Sequence, residues 1–266
     1  MLGAKIHSAA TRGEVARVAL FNEAQVRVIL LDIEGTTTPV NFVYKTLLPY
    51  ASRKLESFLH ENSANPEIGG LIEELRRQHE LDERNGLRPP DWRDDSDNER
   101  VRSSVAYGQW LMAKDSKCTA LKAVQGKIWQ QGYASGELKG EVYPDVPPAF
   151  ERWKRKGKII CIYSSGSTLA QQLLFGSIPT GDLTRYISIF FDTRVGAKTE
   201  TESYRKIAAS FSYEPGQFLF ISDAVKETEA AQFAGMRALL CERNPRTTAP
   251  SGARKMIYDF NEVFPD

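Results

Sequence analysis

Apolar residues follow two different rhythms along the chain. Val26–Leu31 is one short, nearly continuous apolar run, the pattern of a strand buried on both faces. From Phe42 to about Glu141 the spacing turns helical, and Leu47, Leu48, Ala51, Leu55, Phe58 and Leu59 fall on a single helical face. Leu71, Ile72 and Leu75 form a second stripe, Val101, Val105, Leu111 and Met112 a third, and Leu121, Val124 and Ile128 a fourth. Between the second and third, Asp82–Arg100 is dense in charge and carries Pro89-Pro90 and Gly86, which reads as a solvated surface loop.

From Pro144 the rhythm changes again. The runs KIICIYSS, YISIFFD, QFLFIS and RALLCE are short and rich in Ile, Phe and Leu, and helical segments separate them. Short apolar strands alternating with helices predict a doubly wound, Rossmann-like α/β fold with a parallel sheet of at least five strands. The helical stretch then becomes an all-helical cap inserted after the first strand. The expected division is an α/β core of residues 26–41 and 142–266, a cap of 42–141, and a loosely packed N-terminal extension of 1–25. In such sheets functional groups collect beyond the carboxyl ends of the strands. The residues at those ends are Asp32 and Glu34, Ser164 and Ser165, Asp192, and Asp223.

Composition narrows the chemistry. A formal net charge of +1 over 266 residues supplies no field to hold nucleic acid or an anionic membrane. No apolar run reaches transmembrane length, and the first two dozen residues lack the apolar core of a signal peptide. Three widely spaced cysteines, Cys118, Cys161 and Cys241, argue against a disulfide framework and for a reducing, cytoplasmic setting. The three histidines, His7, His60 and His79, stand beside no other catalytic residue type. That argues against a histidine triad or a multi-histidine zinc site.

Asp32 and Asp223, from separate strands, can form a hard-cation site of the kind magnesium uses, with few carboxylates and the rest of its shell left to water and phosphate. Ser164–Ser167 suit an anion at a helix N-terminus. Taken singly, each piece has a plainer reading. A strand-terminal Asp is commonly a turn or cap residue, and Ser-Ser-Gly-Ser is commonly a helix cap. Lys198 alone is a solvated charge. The TETE that follows reads as a capping box, with Thr199 at the cap and Glu202 reaching back.

In this order, however, DIEGTTTP, IYSSGS, AKTETESYRKIA and FISDAVKETEAA resemble the four motifs of the haloacid dehalogenase-like phosphohydrolases. Longer stretches from Val26 to about Glu242, cap included, resemble the enolase-phosphatase subfamily, which forms acireductone in methionine salvage. Those stretches include VILLDIEGTTTPVNFV and ALKAVQGKIWQQGYASGELKGEVYPDVPPAFERWK. The resemblance implies an Asp32 nucleophile, Glu34 as acid/base, and Lys198, Ser164 and Ser165 on the phosphate. It implies one Mg2+ per chain on Asp32, Asp223 and the backbone carbonyl of Glu34, with Glu227 supporting the site from behind. Glu34 stands where most of the superfamily has Asp, and Ser222-Asp223 with Glu227 replaces Gly-Asp with a later Asp; both departures match the subfamily. The substrate so implied is 2,3-diketo-5-methylthiopentyl-1-phosphate, enolised and then dephosphorylated by a monomer. Phe42, Trp110 and Trp129 are candidates to line the pocket for its methylthio end, although their helical context favours simple core. The enolisation base stays open between Glu34 and a residue of the cap. Two alternatives are a magnesium phosphatase of another small ester and a non-catalytic scaffold. A dehalogenase fits poorly, because it dispenses with magnesium and with an acid at position 34.

Overall fold

A computed structural model of the chain describes residues 21–116, 118–244 and 255–266. Most of the expected N-terminal extension, residues 1–20, lies outside the described residues. Six parallel strands form one sheet in the order β3-β2-β1-β4-β5-β6. They are Val28–Leu31 (β1), Ile159–Tyr163 (β2), Ile187–Phe191 (β3), Phe218–Ser222 (β4), Arg237–Cys241 (β5) and Met256–Ile257 (β6). Strand β1 starts two residues later than the apolar run, because Val26, though buried, closes a 3-10 turn before it. Its residues alternate between two apolar cores. Ile29 and Leu31 enter one with Phe150, Trp153 and Phe175, and Val28 and Leu30 enter the other with Tyr204, Ile207 and Phe220. Helices therefore cover both faces, which is why the run has no polar alternation.

The chain leaves β1 for β2 on one side and later returns to β4 on the other. The carboxyl end of β1 is thus the point where the winding reverses, the position at which such sheets open a crevice.

Between β1 and β2 lies a run of helices. Val40–Phe42 (α1) passes through a π-helical Val43–Leu47 into Leu48–Asn62 (α2). Pro66–Arg84 (α3), Asp97–Ala113 (α4) and Thr119–Ser135 (α5) follow. The local signals are capping signals. Asn65 accepts the Glu67 N–H with Pro66 beside it, Ser96 accepts the Glu99 N–H, and Gly136 closes α5 at φ +77°. The expected stripes face inward: Leu55, Leu59, Leu75, Val101, Leu121 and Val124 are buried. The charged segment before α4 is mostly exposed, but it is anchored by Trp92, whose ring meets His79 and Tyr107. The His79 ring also bonds the Pro90 carbonyl at 2.7 Å.

Val146–Arg155 (α6) and Thr168–Gly176 (α7) pack on one face of the sheet, Thr201–Ala209 (α8) and Val225–Phe233 (α9) on the other. The expected capping box at 199–202 does not form. Helix α8 starts at Thr201 with Glu200 as its cap residue, no side chain caps it, and Glu202 turns to Arg205 instead. The two-residue β6 went unread because Met256-Ile257 is too short to show a period. The final segment is held by buried Arg152, which donates to the carbonyls of Phe260, Val263 and Phe264.

Candidate active site

The turn after β1 is built by its own side chains. Thr37 Oγ1 donates to the carbonyls of Asp32 and Ile33, and the amides of Thr36, Thr37 and Thr38 all return to the Ile33 carbonyl. This winding requires Gly35 at φ +73°, in the left-handed region that glycine enters at no steric cost. It brings Thr36, fully buried, beside β4. There Thr36 Oγ1 accepts the Asp223 N–H at 3.0 Å and lies 3.5 Å from Asp32 Oδ2. One threonine thus ties together the ends of the two strands that carry the acids.

Asp32 is held by several donors. Its Oδ1 accepts the Ile33 N–H at 2.7 Å and Lys198 Nζ at 2.5 Å, and Ser222 Oγ lies 3.2 Å from its Oδ2. Lys198 also reaches Glu227 Oε2 at 2.7 Å, and Ser222 Oγ sits 2.9 Å from the same oxygen. A closed ring of Asp32, Lys198, Glu227 and Ser222 results. Burial works against the charge of Lys198, but the two carboxylates outweigh it and hold its pKa above the ordinary lysine value. Glu227 is pushed up, by burial first and by the nearby Asp32 charge, against the pull of Lys198.

Asp223 stands outside this ring. Burial, reinforced by the charges of Asp32, Glu227 and Glu34, pushes its carboxyl up to about 7. The one lysine of the ring is committed to Asp32 and Glu227, so carboxylate charge accumulates at the Asp223 side. That is where a hard cation with few carboxylate ligands fits.

Across the sheet, Ser164 follows β2, and its Oγ accepts the Gly166 N–H at 3.2 Å. Ser167 caps α7 by accepting the Ala170 N–H. The loop is anchored by buried Gln171, which donates to the carbonyls of Gly166 and Phe191.

All seven residues singled out from the sequence (Asp32, Glu34, Ser164, Ser165, Lys198, Asp223 and Glu227) line one cleft of about 370 Å³. Asp192 does not join them; its carboxylate is taken by the backbone and guanidinium of Arg194. Glu34 and Ser165 also border a larger cavity of about 530 Å³ under helices α2, α4 and α5. Of the three aromatic candidates only Trp129 lines it; Phe42 is core, and Trp110 stacks on Tyr107.

The reading from sequence missed the supports of this site. Arg243 donates to the Thr36 carbonyl through Nε at 2.9 Å and Nη2 at 2.6 Å, and pairs with Asp145 at 2.7 Å. Asp145 in turn accepts the Phe260 N–H, and the guanidinium lies over the rings of Tyr143 and Phe260. A lone arginine after the last long strand gives no local signal for such a role.

The profile of the haloacid dehalogenase-like hydrolase family matches residues 26–235. An enolase-phosphatase E1 of Synechococcus elongatus is 46% identical over 238 residues, covering 90% of this chain and 98% of that one. An enolase-phosphatase E1 of Drosophila melanogaster is 40% identical over 92% of this chain and 93% of its own. Among solved structures, the UTR4 protein of Saccharomyces cerevisiae superposes with a TM-score of 0.69 at 32% identity, over 88% of this chain and 98% of that one.

Proposed function

The chain belongs to the haloacid dehalogenase-like hydrolases and, among them, to the enolase-phosphatases, and from that premise we propose how its own residues divide the reaction. It is a phosphatase of a phosphate monoester. The substrate in this reading is 2,3-diketo-5-methylthiopentyl-1-phosphate, which is enolised and then dephosphorylated to the acireductone of methionine salvage.

Asp32 is the nucleophile and takes the phosphoryl group as an aspartyl-phosphate. The observation that carries this is its fixation: two donors hold Oδ1, and the carboxylate shares a cleft with the Ser164–Ser165 loop. A carboxylate meeting a phosphate dianion is repelled by about 4 kcal/mol per charge pair near 4 Å at an effective dielectric of 20. Lys198, fixed on Asp32 and Glu227, supplies the opposing charge within the cleft. Ser164 and Ser165 hydrogen-bond the phosphate oxygens and set the in-line geometry. Glu34 protonates the leaving oxygen and then takes a proton from the hydrolytic water.

One Mg2+ per chain fits the carboxylates of Asp32 and Asp223 with the backbone carbonyl of Glu34, and the charge that accumulates around Asp223 supports that placement. When bound, it supplies charge neutralisation at the transferring phosphoryl group.

Residues 42–141 act as a cap over the cleft and exclude water from the reaction. The 530 Å³ cavity beneath these helices, with Leu48, Leu121 and Trp129 in its wall, takes the methylthio end. Among the described residues no helix is long and apolar enough to cross a membrane. The enzyme in this reading is a monomer of the cytoplasm; light scattering checks its oligomeric state.

The test is Asp32→Asn, which keeps the side chain's shape and removes its charge. Phosphate release in the presence of Mg2+ is expected to fall at least about 1,000-fold. Release that survives this change contradicts the nucleophile assignment.

A further inference from the structure

Two polar groups in the cavity have no part in the phosphoryl chemistry. Lys122 and Gln125 lie three residues apart on α5, on one face of the helix, and both line the 530 Å³ cavity. Lys122 Nζ reaches the Ser165 carbonyl at 3.4 Å, so its ammonium stands at the edge of the phosphate loop. Among the described residues no carboxylate pairs with it. Gln125 is only 6% exposed, and what it exposes lies in the wall of the same cavity. The helix is held close to the loop: a Cβ on Gly126 would lie 3.9 Å from Ser167 Oγ.

We propose that Lys122 and Gln125 form the subsite for the vicinal carbonyls of the substrate, with the Lys122 ammonium as the electrophile of the enolisation. The proposal rests on the enolase-phosphatase reading. With the phosphate on Ser164 and Ser165, the C2 carbonyl is only two bonds from the ester oxygen, so it falls next to Ser165, where Lys122 stands. When the C1–H bond breaks, its electron pair becomes the C1=C2 π bond. The C2=O π pair withdraws onto oxygen and is held there by the ammonium. The proton leaves C1 for a carboxylate of the cavity wall, Glu34 or Asp115, and is returned to the C2 oxygen as the enol hydroxyl. Donors aimed at an oxygen that gains charge stabilise the transition state more than the ground state.

The experiment uses the full chain with Mg2+ and two substrates, the diketo phosphate and an aryl phosphate with no carbonyl. Lys122→Met keeps the length of the stem and removes the charge; the residue is half-buried, so the fold tolerates the change. The ratio of enol formation, followed by absorbance, to aryl phosphate hydrolysis is expected to fall about 100-fold or more, the loss typical of removing one such donor. Lys122→Arg is expected to restore part of it. An unchanged ratio overturns the proposal, whether both rates hold or both fall together, since a common fall would make Lys122 a phosphate ligand or a packing residue. A wild-type protein that hydrolyses the aryl ester and never forms enol overturns the underlying reading itself, which separates the two failures.

Discussion

Gly35 and Asp223 pack backbone against carboxylate: a Cβ on Gly35 would collide with Asp223 Oδ2. The glycine therefore meets two demands, a φ of +73° and the close approach of an acid from the neighbouring strand. Gly35→Ala is expected to cost about 1–2 kcal/mol in backbone strain alone and to push Asp223 out of the cleft. Thermal unfolding reads the first effect. Calorimetric titration with Mg2+ reads the second, as weaker binding to a protein that is still folded.

Lys198 joins the buried carboxylates of Asp32 and Glu227. Its removal leaves two like charges sharing one site, and breaking a buried pair from one side costs about 3–5 kcal/mol. Lys198→Met is expected to lose stability on that scale in urea unfolding. Adding Glu227→Gln is expected to return part of it, because the second change removes one of the charges left unpaired.

Arg243 and Asp145 form a buried pair whose free valences go to Thr36 and Phe260. Arg243→Lys keeps the charge and loses the two-pronged hold on the Thr36 carbonyl. Turnover is expected to fall about tenfold or more, with Asp145→Asn having a smaller effect of the same sign. In a double-mutant cycle the stability losses are expected to be non-additive by about 0.5–3 kcal/mol, as for residues in one network.

Burial pushes the thiols of Cys161 and Cys241 up to about 12, since a low-dielectric surrounding disfavours the thiolate. Cys118 is part-exposed at the start of α5. At pH 8 a disulfide reagent is expected to titrate one thiol quickly in the native protein and three after denaturation.

The sheet and its helical insertion were legible because both depend on local rhythm. Val28–Leu31 and Phe218–Ser222 are buried throughout, and the inserted helices carry apolar stripes, with a side-chain cap at the start of α3 and α4 and Gly136 at the end of α5. The meeting of Asp32 and Asp223 was legible because strand ends in such a fold converge, whereas Lys198, by itself a solvated charge, was legible only through a motif that resembles one of a known family. The bracing was not legible. Thr36 with Asp223, and Arg243 with Asp145, are contacts between residues far apart in sequence, and no period or spacing marks them. The capping box at 199–202 misled for a related reason. A motif that satisfies helix-capping chemistry is overridden when the chain entering the helix is held elsewhere, here by the Tyr204 hydroxyl on the Lys198 carbonyl and Ser203 on that of Ala197.

In the proposed reaction one cleft both enolises a diketo phosphate and cleaves its ester through Asp32. A single turnover of 2,3-diketo-5-methylthiopentyl-1-phosphate with Mg2+ tests it most directly, with absorbance following enol and acireductone while phosphate is assayed in the same samples. The enol is expected to rise first, and phosphate and acireductone to appear together as it decays. Phosphate released with no enol before it, or no turnover of this compound by a protein that cleaves aryl phosphate, would rule out this reaction.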